Sequence, residues 1–282
     1  MNLKFPTPFL PILLLIALSC PFAEAYAQSH SDGTKQKAQS KTTTLNIISY
    51  NIHHGANKDE VLTLDKMGEF LNTSKADLVG LQEVDSLCNR SGKSDQMKKL
   101  AEATGMHYAF ARHFAYDGGS YGLGLLSAFP LSDVRKDRIT SKSVNGEKRS
   151  LVLLSAIATL PDGARVRFAT VHFALDQPTR IIQAREVIDY LTADGAMPVI
   201  LTGDLNAEPS NEAILKLQSV FSITDTNLAN TFPVYEPSKK IDYIMVSSND
   251  LVSVKESKVF VDIAHSDHLP LWSAIQIQVE NK

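Results

Sequence analysis

Six short polar clusters, each directly after an apolar run, carry the residues able to do chemistry: Tyr50-Asn51, Gln82-Glu83, His172, Gly203-Asp204-Leu205-Asn206, Asp242 and Ser266-Asp267-His268. The amide oxygen of Asn51 and the carboxylate of Glu83 are hard donors. They suit Mg2+ or Mn2+, ions that keep several waters and bind few protein groups. Plainer roles are open to both, a turn cap for Asn51 and a surface ion pair for Glu83. Asp204 and Asn206 stand two apart, so on an extended segment they face one side. There a carboxylate can take a proton from attacking water and a carboxamide can donate to a developing oxyanion. The same residue types also build an Asx turn leading into a helix at Ser210.

His265-Ser266-Asp267-His268 is the sharpest local motif. Asp267 can reach a metal directly or through water. His268 can hydrogen-bond a phosphoryl oxygen, with Asp242 as the carboxylate that orients its imidazole. A zinc site built from His172, His265, Asp267 and His268 is the competing arrangement, since zinc favours nitrogen-rich sets. His172 ends an apolar run and can donate to a phosphate. His53 and His54 are expected at the surface. Tyr121, Arg149 and Arg90 are candidates for substrate contact, Arg149 first, because a guanidinium matches phosphate geometry.

Alternating elements must position these residues. Strands are expected at 45–51, 77–83, 107–113, 122–127, 151–160, 165–172, 198–202, 241–247, 255–261 and 271–279, where apolar and β-branched residues run between turn signals. Helices are expected at 60–72, at 95–104 with a stop at Gly105, at 178–191 with Pro178 near its start, and at 210–218 capped by Ser210. Many strands with few helices imply two sheets packed face to face with helices outside. Mid-chain hairpins, and the lack of a G-x-G-x-x-G turn after the first strand, argue against a plain doubly wound fold.

Composition narrows the rest. At 44% hydrophobic and 21% charged, 282 residues supply a sizeable core. A net charge of -3 offers no basic face of the kind that coats nucleic acid. Lys4, the apolar run 9–19 and Ala25-Tyr26-Ala27 read as a signal peptide over 1–27, too short to span a bilayer. Lipidation at Cys20 is the alternative, from the lipobox-like Leu18-Ser19-Cys20. Residues 28–43, rich in Ser, Thr, Lys and Gln, are expected to be a disordered tether before one domain over 44–282. Cys88 alone remains after processing, so no internal disulfide is available and it is assigned no role. The expectation is an exported protein, periplasmic or extracellular, acting as a monomer.

Taken in order, Ser49-Tyr50-Asn51-Ile52, Leu81-Gln82-Glu83-Val84, Thr170-Val171-His172-Phe173, Gly203-Asp204-Leu205-Asn206, Ile241-Asp242-Tyr243-Ile244 and Ser266-Asp267-His268 resemble the endonuclease/exonuclease/phosphatase superfamily. Tyr121-Gly122-Leu123-Gly124 and Glu147-Lys148-Arg149 are secondary matches. The resemblance implies an α/β fold, a four-layer α/β/β/α sandwich of two packed mixed β-sheets flanked by helices. It implies a metal-dependent phosphoester hydrolase using Mg2+ or Mn2+. Glu83 would be the principal metal ligand with Asn51 beside it and Asp267 as a further carboxylate. Asp204 would orient or deprotonate water, Asn206 and His172 would contact the phosphate, and Asp242 and His268 would form an Asp–His pair. Many relatives have an asparagine where Leu123 stands, so the resemblance does not carry over that substrate-phosphate contact. A small phosphomonoester or phosphodiester, such as a lipid headgroup or sugar phosphate, is the expected substrate. DNA or RNA cleavage is the alternative, and a non-catalytic surface binding module is the alternative of another class.

Overall fold

The apolar runs become two six-stranded sheets, seen in a computed structural model that describes residues 41–279 apart from 142, 145, 146, 149 and 250. Arg149, Cys20 and the expected signal peptide therefore lie outside the described residues. The first half of the chain runs β1 (Lys41–Asn51), α1 (Leu64–Ser74), β2 (Leu78–Ser86), α2 (Gln96–Thr104), β3 (His107–Tyr116), β4 (Gly119–Ser127) and β5 (Leu131–Ile139). Two short strands follow, β6 (Ser143–Val144) and β7 (Glu147–Lys148), and then β8 (Leu151–Thr159) and β9 (Arg165–His172). The remainder is α3 (Gln177–Thr192), β10 (Val199–Asp204), α4 (Glu212–Leu217), β11 (Phe221–Ile223), β12 (Asp242–Ser247), β13 (Val252–Val259) and β14 (Leu271–Val279).

One sheet has the order β13-β14-β1-β2-β4-β3 and the other β11-β12-β10-β9-β8-β5. In each, the central pair is parallel, β1 with β2 and β9 with β10, and the flanking pairs are antiparallel. Leu45, Ile47, Leu78, Leu125, Val152, Phe168, Ile200 and Ile275 fill the space between the sheets. A second apolar cluster joins β9, β10 and β12 to α3 and α4, and a third joins β1 and β2 to α1 and α2. These layers make the expected four-layer α/β/β/α sandwich.

Parallel central pairs bring the carboxyl ends of β1 and β2 to the same end as those of β9 and β10. The sheets approach closely there. A Cβ on Gly80 would stand 1.8 Å from the Thr202 hydroxyl, so only glycine fits. Gln82 Nε2 donates to Thr170 Oγ1 at 2.7 Å, and the Gly203 N–H donates to Ser49 Oγ at 3.1 Å. These polar bridges lock the two strand pairs beside the site.

Local chemistry explains where elements depart from expectation. β1 begins at Lys41, inside the expected tether, because Thr42 and Thr43 pair with Gln278 and Ile277. Helix α1 starts at Leu64 rather than 60. Asn57 Oδ1 accepts the Asp59 and Val61 N–H groups and closes a turn, leaving Val61 and Leu62 exposed. In α4 the cap is Asn211, whose side chain accepts from the Ala213 N–H, not Ser210. Strand β5 was not expected at all. It is a charged edge strand, mostly exposed, and such edges lack the apolar alternation that reveals a strand. The other helices follow their signals: Asp95 and Asp176 cap α2 and α3, and Gly105 ends α2 at φ 69°.

Candidate active site

Strand register assembles the site. His172, Asp204 and Asp242 are lateral neighbours across β9, β10 and β12. Asn51 pairs with Gln82 across β1 and β2. The β2–β4 ladder shifts between Leu81 and Val84, and Glu83 within that irregularity has φ 59°. A bulge re-aims a side chain, and this one delivers Glu83 to the mouth. Ser266 Oγ donates to the Asn51 carbonyl at 2.7 Å, which ties the loop carrying Asp267 and His268 to the end of β1.

The side chains meet. Asn51 Nδ2 donates to Glu83 Oε1 and to Asp204 Oδ2, both at 3.0 Å. His172 Nε2 stands 3.4 Å from Asp204 Oδ2, and His268 Nε2 stands 3.7 Å from it. His268 Nδ1 is 2.8 Å from Asp242 Oδ2, which also accepts from Thr231 Oγ1 at 2.5 Å. The Asn206 amide nitrogen lies 3.0 Å from His172 Nε2 and donates to the Phe173 carbonyl at 3.0 Å. Asp204 and Asn206 line one cavity, and Asp204 Oδ1 accepts the Asn206 N–H at 2.9 Å in an Asx-type turn. Strand β10 ends at Asp204, so the turn, not extended periodicity, aims Asn206. In this arrangement the nitrogen of Asn51 faces the carboxylates and its oxygen accepts the His53 N–H at 3.0 Å.

Burial sets the electrostatics. Burial raises the Asp204 carboxyl; His172 opposes this and Asp242 adds to it, with a net rise. Burial would raise Glu83 as well, but His172, the Asn51 amide, His268 and His53 outweigh it and hold that carboxyl below its usual range. Burial disfavours a charged His268, yet the contact with Asp242 overrides it and pushes the imidazole up to about 10. His268 is therefore a cation at neutral pH, with its Nε2 turned toward Asp204.

The cavity around these groups measures about 1130 Å³ and is lined by Glu83, Tyr121, His172, Asp204, Asn206, Asp267 and His268, with Phe114, Leu175 and Phe232 among its apolar walls. Tyr121 stacks near Phe114 and His113. Arg90 does not line the cavity; it makes two hydrogen bonds to buried Asp85 and lies 4.6 Å from the Tyr116 ring centre. Leu123 is fully buried in the inter-sheet core and faces no ligand. Cys88 is buried too, and burial pushes its thiol up to about 11.

Two groups of residues offer donors to a metal ion: His53, His54 and Glu83, and Asp204, Asp242 and His268, each with donor atoms within 4.8 Å of one another. Asp267 Oδ1 adds a carboxylate 3.5 Å from His53 Nδ1. Hard carboxylates converging from separate segments fit a divalent cation. The four-residue zinc arrangement does not form. His268 Nδ1 is taken by Asp242, and His265 belongs to neither group among the described residues, being influenced instead by Lys66 and Glu69 of α1. His54 is not the surface histidine expected, being 5% exposed, whereas His53 is partly exposed; both bond Glu60 at 3.0 Å. Their position just after Asn51 was the signal for a role at the mouth.

The profile of the Endonuclease/Exonuclease/phosphatase family matches residues 48–268. The Escherichia coli K12 protein YbhP is 26% identical over 256 residues, covering 85% of this chain and 99% of its own. A crystal structure of an endonuclease/exonuclease/phosphatase family protein from Bacteroides thetaiotaomicron superposes with a TM-score of 0.70 at 19% identity, covering 86% of this chain and 98% of that one. A mannosyl-6-phosphatase from the same organism gives 0.68 at 20% identity, covering 82% and 99%. With the six clusters gathered at one mouth of the sandwich and the profile spanning them all, the chain belongs to the Endonuclease/Exonuclease/phosphatase family of phosphoester hydrolases.

Proposed function

We propose that this protein hydrolyses a small phosphoester by in-line attack of water, with Mg2+ or Mn2+ held at Glu83 and Asp267; Asn51, expected as a ligand, instead positions Glu83 and Asp204 through its amide nitrogen. The observation that carries the reading is the setting of Asp204, whose Oδ2 is within 3.0–3.7 Å of Asn51, His172 and His268 at once. When bound, the cation supplies Lewis-acid stabilisation of charge on a phosphoryl or leaving oxygen. Asp204 takes a proton from the attacking water, and burial, which raises its carboxyl, favours that transfer. His268 donates from Nε2 to a phosphoryl oxygen while Asp242 holds its Nδ1–H. Asn206 and His172 add donors on the same side. Tyr121 forms part of the wall against which the ester group rests, and Arg149 is proposed as a further phosphate contact.

A cavity of about 1130 Å³ with aromatic and aliphatic walls supports a small substrate, such as a sugar phosphate or a lipid headgroup, over a polymer. The same reading places the protein outside the cytoplasm after loss of 1–27 or lipidation at Cys20, as a monomer with a single catalytic domain following a tether. Mass measurement of the protein released by a bacterial host tests the processing.

The deciding experiment presents purified protein with phosphomonoesters, phosphodiesters, sphingomyelin and DNA, each with Mg2+, Mn2+, Ca2+ or chelator. Hydrolysis of a small ester that chelator abolishes is the expected result. Plasmid cleavage without small-ester turnover points to the nuclease reading. Absence of turnover in every arm, with a glycan or protein ligand found, points to a binding module.

A further inference from the structure

The turn after β1 carries a feature that phosphoester chemistry alone does not require. His53 Nε2 is 3.0 Å from Glu60 Oε1, while His53 Nδ1, on the other side of the ring, is 3.5 Å from Asp267 Oδ1 and 3.9 Å from Glu83 Oε2. The second pair of distances is too long for direct hydrogen bonds. A cation with ligand distances near 2.1 Å holds neighbouring donors roughly 3.0–3.5 Å apart, so these separations suit atoms sharing one ion after a small contraction. Glu83 Oε2 accepts no hydrogen bond among the described residues; the Asn51 amide is on Oε1.

The far side of the ring is built as a metal-ligating histidine needs. Such a histidine almost always gives its other nitrogen to a carboxylate, which fixes the ring and raises its basicity. Glu60 is placed to fix the ring, with one oxygen for His53 and the other for His54, also at 3.0 Å. A simple ion pair accounts for Glu60 but not for the direction of Nδ1. An independent observation comes from His54. It is 5% exposed, its Nδ1 has no hydrogen-bond partner, and one of its ring nitrogens lies within 4.8 Å of donor atoms on His53 and Glu83.

We infer that His53 Nδ1 is a ligand of the catalytic cation, completing a set with Glu83 and Asp267, and that this nitrogen makes the site select Mn2+ or a similar transition ion over Mg2+. Carboxylate-only sites suit Mg2+, whereas imidazole shifts preference along the first transition row. The inference deepens the proposed function and rests on its placement of the cation.

The test binds Mn2+ alone and Mg2+ alone to purified protein by calorimetry and records pulsed electron paramagnetic resonance of bound Mn2+ for coupling to nitrogen. Mn2+ should bind at least about tenfold more tightly than Mg2+, with nitrogen coupling that His53→Gln removes. Glu60→Gln should keep the coupling and weaken Mn2+ binding by about tenfold, and it serves if His53→Gln fails to fold by circular dichroism. Equal affinity for the two ions without nitrogen coupling overturns the inference, as does coupling that survives His53→Gln or disappears only in His54→Gln. If Mg2+-dependent, Glu83-dependent hydrolysis accompanies such a result, the phosphoesterase reading stands and His53 alone is dismissed. Nitrogen-coupled Mn2+ in a protein that hydrolyses no ester upholds the ligand and removes the function.

Discussion

Strand β9 carries two charge clusters, one toward each end, and they are built on opposite plans. Near its start, fully buried Arg167 contacts Asp133 and Asp194, which Arg135 also contacts, so two cations meet two carboxylates with direct hydrogen bonds throughout. At its end, His172 joins Glu83, Asp204, Asp242 and Asp267, where several donor atoms face one another at 3.4–3.9 Å without bonding. The first cluster is closed, and its charges serve to bolt edge strand β5 to its sheet. The second holds like charges close with donors in reserve. That arrangement is costly by itself, and on the proposed function a cation and a phosphate would offset the cost.

The contrast can be broken most severely at Glu83. Glu83→Ala should lower turnover of the cognate ester about a thousandfold while the melting temperature holds steady or rises. A falling melting temperature with preserved turnover would make the site cluster structural like the other. Arg167→Ala should do the reverse. Loss of the buried guanidinium removes its packing and its bonds to the part-exposed Asp133 and Asp194, so the urea midpoint should fall while turnover per folded molecule stays unchanged. Asp242→Asn retains shape but weakens the hold on the His268 cation. A fall in kcat of about a hundredfold, with KM little altered, is expected from steady-state kinetics.

The smallest effect is on stability against pH and concerns His113, buried between the two clusters. Burial, then His172 and Arg138, holds its imidazole well below the usual value, and Nδ1 accepts the Val152 N–H at 2.9 Å. The folded state therefore binds fewer protons than the unfolded state below about pH 6.5, so stability rises with pH there and falls on acidification. The slope from one such group reaches about 1.4 kcal/mol per pH unit. His113→Asn keeps an acceptor for Val152, and the difference in unfolding free energy between variant and parent should shrink from pH 7 to pH 5. A pH-independent difference would show that His113 titrates alike in both states.

How legible each cluster was follows from its chemistry. The residues of the site announced themselves because Glu83, His172 and Asp204 each end an apolar run and Asp242 begins one, and a polar residue at that place needs a reason. Arg167 gave no such sign. Set between Val166 and Phe168, it reads as the outward residue of an alternating strand, and its partners lie 27 and 34 residues away. His54 was misplaced for a related reason: a histidine in a polar turn looks exposed until the fold closes around it. β5 escaped notice because a charged edge strand carries no period-two apolar signal.

Local sequence by itself determined most of the strands and helices, the stop of α2 at Gly105 and the layered class of the fold, because apolar periodicity and turn chemistry act over a few residues. Tertiary structure alone decided that β1–β2 and β9–β10 are parallel central pairs facing each other, that a bulge swings Glu83 into the mouth, and that Asp242 rather than a metal claims His268 Nδ1. Those outcomes depend on register and on the close approach of the sheets at Gly80, energies shared between separate segments, 26 residues apart for Asp242 and His268 and 154 for Ser49 and Gly203, which no single stretch of chain encodes.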